Sequence, residues 1–249
     1  MTKSSTATAT MAIAIALSWA CTGKSWGQDA ITARLHPSGV IELSRGAVVL
    51  GRVELNAHGP NWQHAPQTEG KGTVDDLADK SGKRVSGVLV IPNTEDGAIE
   101  YIENVKTLAQ GLQIEYDLTV SKIMKLNGLQ VSVNLPVEQY AGKEVLVSQP
   151  RQDPKLVGLP EKQQEGRFQL WSGQGSKAEI AKDTDLAITA ELRASTDVMV
   201  QDLRQWDNPI FEVRFPAIME GGGREVTAGA KFHLDLTITC ASSVKLVTP

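Results

Sequence analysis

Only two cysteines occur in the chain, Cys21 and Cys240, so no framework of disulfides can hold the fold together. Aromatic residues make up 5% of the sequence, a thin supply of rings for a core or for stacking on a ligand. The 25 Lys and Arg are outnumbered by 29 Asp and Glu, for a formal charge of -4. No basic block is long enough to follow a phosphate backbone, which excludes nucleic acid as a partner. Apart from one amino-terminal stretch, no apolar run approaches the length of about 20 residues needed to cross a bilayer as a helix. Several chemical signatures are also missing. There is no Walker loop, no GxGxxG after a strand, no HExxH, no CxxC and no GxSxG, so nucleotide, dinucleotide, zinc and nucleophile-elbow chemistry have no support. Gly221-Gly222-Gly223 reads as a flexible turn between strands, because no helix follows whose amino terminus could hold a phosphate.

What is present begins with an address. Residues 1–27 have the order of a secretory signal: Lys3, then the apolar Met11–Ala20, then small residues at Ser25 and Gly27. Cleavage after Gly27 leaves a chain starting at Gln28 and removes Lys3 and Lys24 but no acid, taking the charge from -4 to -6. A second reading takes Leu17-Ser18-Trp19-Ala20-Cys21 as a bacterial lipoprotein box, with Cys21 carrying the lipid. The predicted location is periplasmic or extracellular, or lipid-anchored to the envelope in the second case, with no membrane-crossing segment after the signal. Either way Cys240 has no internal partner. Alternation in Phe232–Cys240 places it on one face with Phe232, Leu234, Leu236 and Ile238, as a buried inert thiol.

From Ile31 onward the dominant period is two, and no window of 11 residues holds a 3.6-residue period. Thirteen strands are predicted: Ile31–Leu35, Val40–Leu43, Ala47–Leu55, Arg84–Ile91, Ile99–Leu108, Leu112–Val120, Leu129–Leu135, Arg167–Trp171, Lys177–Ala181, Leu186–Leu192, Val198–Leu203, Ile210–Phe215 and Lys231–Cys240. Gly111 and Asn127-Gly128 read as turns, Asn-Gly being a strong hairpin signal. Short helices are predicted at Val74–Asp79, opened by Asp75 and Asp76 beside the helix dipole, and at Val137–Ala141. Polar stretches at 56–83 and 149–165 read as long loops. The result is an all-β fold, a large two-sheet antiparallel β-sandwich in a single domain over residues 28–249.

Two clusters carry candidate chemistry. In His58–His64 (HGPNWQH), two imidazoles flank Trp62, which can place a proton carrier beside a stacking ring. Surface residues of a mobile loop are the alternative; a metal pair lacks a third ligand, so no metal and no cofactor are assigned. The second cluster is Asp202, Arg204 and Trp206. On an extended strand these share a face and present a carboxylate, a guanidinium and an indole together; alternatively, Asp202 and Arg204 form a structural pair orienting a turn. Trp171 is either packing or part of a binding surface. Paired carboxylates cannot be nominated from spacing, because Asp75, Asp76, Glu95, Asp96, Glu100, Glu103 and Glu115 are all available.

The stretch Ile31–Trp62 resembles the start of galactose-mutarotase-like super-sandwich domains. GLQIEYDLTV with LQVSVNLPVEQYAGKEV, and QDLRQWDNP followed by FEVRFP and a strand after Thr227-Ala228-Gly229, are similar to β-sandwich modules that accompany bacterial glycoside hydrolases. The His and Glu constellation of the family's enzymes is not legible here residue by residue. The resemblance implies a poly- or oligosaccharide partner and leaves three roles open: glycan binding without turnover, a sugar-active epimerase, lyase or hydrolase, and an envelope protein that binds a protein partner.

Overall fold

The computed structural model describes residues 30–248, so the export segment, Cys21 and the cleavage site at Gly27 lie outside the described residues. The chain opens with β1 (Ile31–Leu35), β2 (Ile41–Arg45) and β3 (Val48–His58), a 3-10 turn at Pro60–Trp62, and β4 (His64–Pro66). A second 3-10 turn at Gln67–Glu69 leads to β5 (Lys71–Asp76) and β6 (Gly82–Val90). Next come β7 (Ala98–Leu108), β8 (Gly111–Val120), β9 (Met124–Pro136), helix α1 (Val137–Tyr140), β10 (Glu144–Ser148) and β11 (Lys155–Gly158). The last group is β12 (Gln169–Ile180), β13 (Ile188–Asp202), a 3-10 turn at Leu203–Trp206, β14 (Ile210–Val226), β15 (Lys231–Cys240) and β16 (Val244–Val247).

The all-β sandwich reading holds, with sixteen strands rather than thirteen. Their hydrogen bonds form one continuous curled path, β16-β1-β2-β3-β9-β14-β13-β15-β8-β7-β6-β5, with β4, β10, β11 and β12 branching from it. Pairing is antiparallel throughout this path except between β1 and β16, which run parallel. The 15-residue β13 joins the two halves: its first part pairs with β15 and its last part with β14, while β12 lies along its other edge. Residues such as Val53, Leu55, Val131, Val133, Phe211, Val213 and Phe215 from one half and Tyr101, Val105, Ile114, Tyr116 and Leu236 from the other fill a continuous core. Cys240 is buried in it with a free thiol whose pKa burial pushes up to about 12. Among the described residues no helix is long and apolar enough to cross a membrane.

Several local expectations are corrected. Val74–Asp79 is not a helix: Lys71–Asp76 is β5, where Asp75 and Asp76 face Arg84 and Lys83 across the ladder and the Asp76–Lys83 ion pair closes at 2.6 Å. Cross-strand charge pairing explains acids that looked like a helix start. Asn127-Gly128 is not a turn, because β8 and β9 lie in different halves of the sheet and cannot form a hairpin; the pair sits inside β9. Gly221–Gly223 likewise lies within β14, in a bulge between Met219 and Arg224, and the Asn127 side chain donates to the carbonyls of Glu220 and Gly221 to hold it. The hairpin turn near Gly111 is at Ala109 and Gln110, and Gly111 is the first residue of β8. A Cβ there would lie 1.9 Å from the Ile238 carbonyl oxygen of the adjacent strand. Both polar stretches contain strands, β4 and β5 in the first and β11 in the second.

Candidate functional site

The site is built from strand alternation. Odd-numbered residues of β3, β9 and β14 face the core, so the even-numbered ones share the opposite face. Register aligns them in rows: Arg52, Asn134, Glu212 and Gln201 form one, and Glu54, Ser132, Arg214 and Met199 the next. Asn56 then faces Gln130, and His58 faces Gly128 on one side and His64 of β4 on the other. Although this is the side away from the core, Glu54, Asn56, His58, Gln130, Ser132, Asn134, Gln201 and Glu212 are all buried.

Their hydrogen bonds fix the chemistry of each group. His64 Nε2 lies 2.9 Å from Asn56 Oδ1. An amide oxygen only accepts, so Nε2 donates and the lone pair is on Nδ1. Asn56 and Asn134 in turn both donate to Glu54 Oε1. His58 has the other tautomer: its Nε2 accepts from Gln130 Nε2 at 3.1 Å, so the proton resides on Nδ1. The two imidazoles stack with centroids 5.0 Å apart. Both oxygens of Glu212 are engaged, one by Ser132 Oγ and one by Arg214 Nε, each at 2.6 Å.

Burial sets the protonation states. Desolvation raises the Glu54 pKa, against the hydrogen bonds from Asn56 and Asn134, and the Glu212 charge adds to the rise. Desolvation lowers His58 to about 3, helped by the Arg214 charge and by His64. His64 is also lowered, by desolvation first, with Glu212 opposing and Arg214 assisting. Both imidazoles are therefore neutral at pH 7, and the mutual charge effects show that strands distant in sequence converge here.

Two features of this face call for explanation. The amide oxygens of Gln130, Asn134 and Gln201 are buried without a hydrogen-bond partner among the described residues, an uncommon state that calls for an explanation. Trp62, 40% exposed, sits edge-on to His58 with centroids 5.5 Å apart. It has φ of 61°, directly after Asn61 at 58°. Asparagine tolerates left-handed backbone, but a bulky indole rarely adopts it, and such strain concentrates at functional sites.

Of the residues nominated from sequence, His58, Trp62 and His64 come together on this face. Asp202, Arg204 and Trp206 do not join them: Gln201 shares a row with Arg52, six residues of strand from His58, about 20 Å at the usual rise. Nor do the three share a face on an extended strand, since Leu203–Trp206 is a 3-10 turn. Asp202 caps that turn by accepting from the Arg204 backbone N–H and pairs with the Arg204 guanidinium at 2.7 Å. Arg204 also donates to the carbonyls of Pro160 and Glu161 and lies over the Phe211 ring. Trp206 is exposed and edge-on to Phe168, and Trp171 is half-buried against the core. The residues that sequence reasoning missed, Glu54, Asn56, Gln130, Ser132, Asn134, Glu212 and Arg214, left one signal: polar side chains at every second position of RVELNAH, QVSVN and FEVR. Among the described residues no three His, Cys, Asp or Glu side chains converge as metal ligands.

No protein-family model and no curated protein matches the chain. Solved structures do. A galactose mutarotase-like protein from Lactobacillus casei ATCC 334 superposes with a TM-score of 0.50 at 13% identity, over 82% of this chain and 94% of that one. A putative aldose 1-epimerase from Escherichia coli K12 gives 0.46 at 11% identity, covering 84% and 98% respectively. A galactose mutarotase related enzyme from Lactobacillus acidophilus gives 0.41 at 11% identity, covering 83% and 96%. The chain has the galactose mutarotase-like fold.

Proposed function

We propose that the polar face of β3, β9 and β14 is an active site that acts on the anomeric centre of a saccharide. The observation that supports this reading is the convergence of two neutral histidines, His58 buried and His64 exposed, with Glu54, Glu212 and Arg214 on one polar face. Interconverting anomers requires removal of a proton from the C1 hydroxyl and delivery of one to the ring oxygen as the C1–O5 bond breaks, giving an open-chain aldehyde. Ring closure on the other face reverses both transfers. His64 Nδ1 holds the available lone pair and takes the first proton. Glu54, whose burial favours the protonated form, supplies the second. The free amide oxygens of Gln130 and Asn134 accept from hydroxyls of the reacting sugar, that of Gln201, about 20 Å along the strands from His58, accepts from a further unit of an oligosaccharide, and Trp62 stacks on the C–H face of the ring. The fold shared with a protein named as galactose mutarotase-like agrees with this reading.

The test is anomer exchange by NMR on a panel of aldoses and oligosaccharides. The purified protein accelerates interconversion of at least one, and His64→Ala and Glu54→Gln each slow it about 100-fold or more, the usual contribution of a general acid or base. No acceleration across the panel, or variants as fast as the wild type, overturns the assignment. Glycan binding without turnover is the second reading, favoured by the exposed Trp62 ring; saturable binding with no exchange selects it. We also propose export through residues 1–27 to the periplasm or medium. Mass spectrometry of the cell-derived protein should find an amino terminus at Gln28, or a lipid on Cys21 if the second signal reading applies.

A further inference from the structure

The site has a support that lies wholly on the other side of β3. Along one edge β3 pairs with β9, while along the other β2 reaches as far as Val53 and β4 begins opposite Asn56. Leu55 falls in the gap between them. Its backbone N–H donates at 2.7 Å to the side-chain oxygen of Gln67, which stands in for the missing strand carbonyl. Gln67 follows β4 directly, so the same residue that mends the ladder also ends the segment carrying His64. Its Nε2 donates at 2.8 Å to Glu103 Oε2 on β7, and Tyr116 Oη on β8 donates at 3.1 Å to Glu103 Oε1. Gln67, Glu103 and Tyr116 are each fully buried. Gly39, at φ of 93°, closes over them so tightly that a Cβ would lie 2.1 Å from Glu103 Oε2.

A carboxyl buried at the centre of a sandwich destabilises the fold unless fully bonded, and a leucine there would need no partners. Among the described residues the relay's hydrogen bonds reach the polar face through Gln67, which fixes Leu55 between its neighbours Glu54 and Asn56 and tethers His64 three residues upstream. We propose that Gln67, Glu103 and Tyr116 are positioning residues that hold Glu54, Asn56 and His64 in their working geometry. The proposal rests on the polar face being the active site for its functional meaning, but its structural content stands without turnover.

The experiment is an imidazole NMR titration of the intact protein, which has four histidines; single substitutions assign the His58 and His64 signals. In Gln67→Met, the anchor to Leu55 and Glu103 is lost and the segment carrying His64 loosens from Asn56. Its titration midpoint moves up toward the ordinary imidazole value, and the His58 resonances shift. Glu103→Gln keeps the wild-type pattern, because its amide can accept from Gln67 and donate to Tyr116. Tyr116→Phe gives a smaller shift of the same sign and decides the matter if Gln67→Met fails to fold. Unmoved His58 and His64 signals in both Gln67→Met and Tyr116→Phe, or a shift in Glu103→Gln as large as in Gln67→Met, overturn the proposal. No sugar is present in these titrations, so failure of the anomer-exchange assay leaves their outcome independent.

Discussion

Replacing Glu103 by glutamine should change how stability depends on pH more than stability itself. Glu103 is fully buried, and desolvation lifts its pKa from 4.5 to about 8, against the lowering effect of its bonds from Gln67 and Tyr116. A folded-state pKa above the unfolded value means the folded protein keeps a proton that the unfolded chain releases. The protonated carboxyl therefore favours folding fully below pH 4.5, and that advantage is lost as the pH rises through about 8. With each pH unit in this window contributing roughly 1.4 kcal/mol, the whole change is on the order of 5 kcal/mol. The assay is urea unfolding of wild type and Glu103→Gln between pH 5 and pH 9. The groups common to both proteins, including Glu54, His58 and His64, cancel in the difference, and any fixed packing penalty of the glutamine is a constant offset. The variant should gain several kcal/mol on the wild type between pH 5 and pH 8.5, with no further gain above. A difference that stays flat across that range would refute the reasoning, since a carboxyl of ordinary pKa does not titrate there.

Three other substitutions probe separate parts of the structure. His58, held near pKa 3 against an ordinary 6.5, binds a proton less readily when folded, so its contribution is present above pH 6.5 and is lost as pH falls toward 3. His58→Gln should move the acid-unfolding midpoint, followed by circular dichroism, to lower pH; an unchanged midpoint contradicts this. Arg204→Met strips the partner from Asp202, whose side chain is 1% exposed, and should cost about 3–5 kcal/mol, or roughly 10 °C in thermal midpoint for a domain of this size. Adding Asp202→Asn should recover part of the loss. Gly111→Ala drives a methyl against the Ile238 carbonyl and should destabilise by about 1–3 kcal/mol in the same melts.

The elements most legible in the sequence were those whose signal is local. β7, β8 and β15 alternate cleanly over ten or eleven residues, and α1 follows Pro136, whose fixed φ suits a helix start. β12 and β13 each read as two strands in the sequence, because they run on through a glycine-containing middle, Ser172–Ser176, and a polar one, Arg193–Asp197, where the partner strand supplies the order. β4, β10, β11 and β16 have three to five residues each, too few to establish a period. The Asn127-Gly128 and Gly221–Gly223 signals were misassigned together, for one reason: each residue set answers the other across the β9–β14 ladder, and a local turn rule cannot register a distant partner. The polar face failed to appear for the same cause. Its half-loop of histidines was visible in HGPNWQH, but the carboxylates arrive from strands separated by 158 residues of sequence, Glu54 and Glu212, and only register brings them together.

The two clusters nominated from sequence also show how a structural polar group differs from a functional one. Around Asp202 the hydrogen-bonding capacity is spent internally: carboxylate on guanidinium and backbone, guanidinium on two carbonyls and a ring. On the polar face three amide oxygens are buried and unmatched, a condition that the fold alone does not require and that stability disfavours by about 1–3 kcal/mol per group. If those oxygens exist to receive sugar hydroxyls, removing one should improve the fold while weakening the site. Gln201 lies in a row about 20 Å along the strands from the histidine pair, 4% exposed and with its Oε1 unpartnered, so it can be changed without touching His58 or His64. Gln201→Leu should raise the urea midpoint, equivalent to about 1 kcal/mol, and reduce oligosaccharide affinity several-fold, with monosaccharide affinity and the histidine titrations unaltered. A variant that is less stable than the wild type would show that the amide serves the fold, and the distinction between the two clusters would then fail.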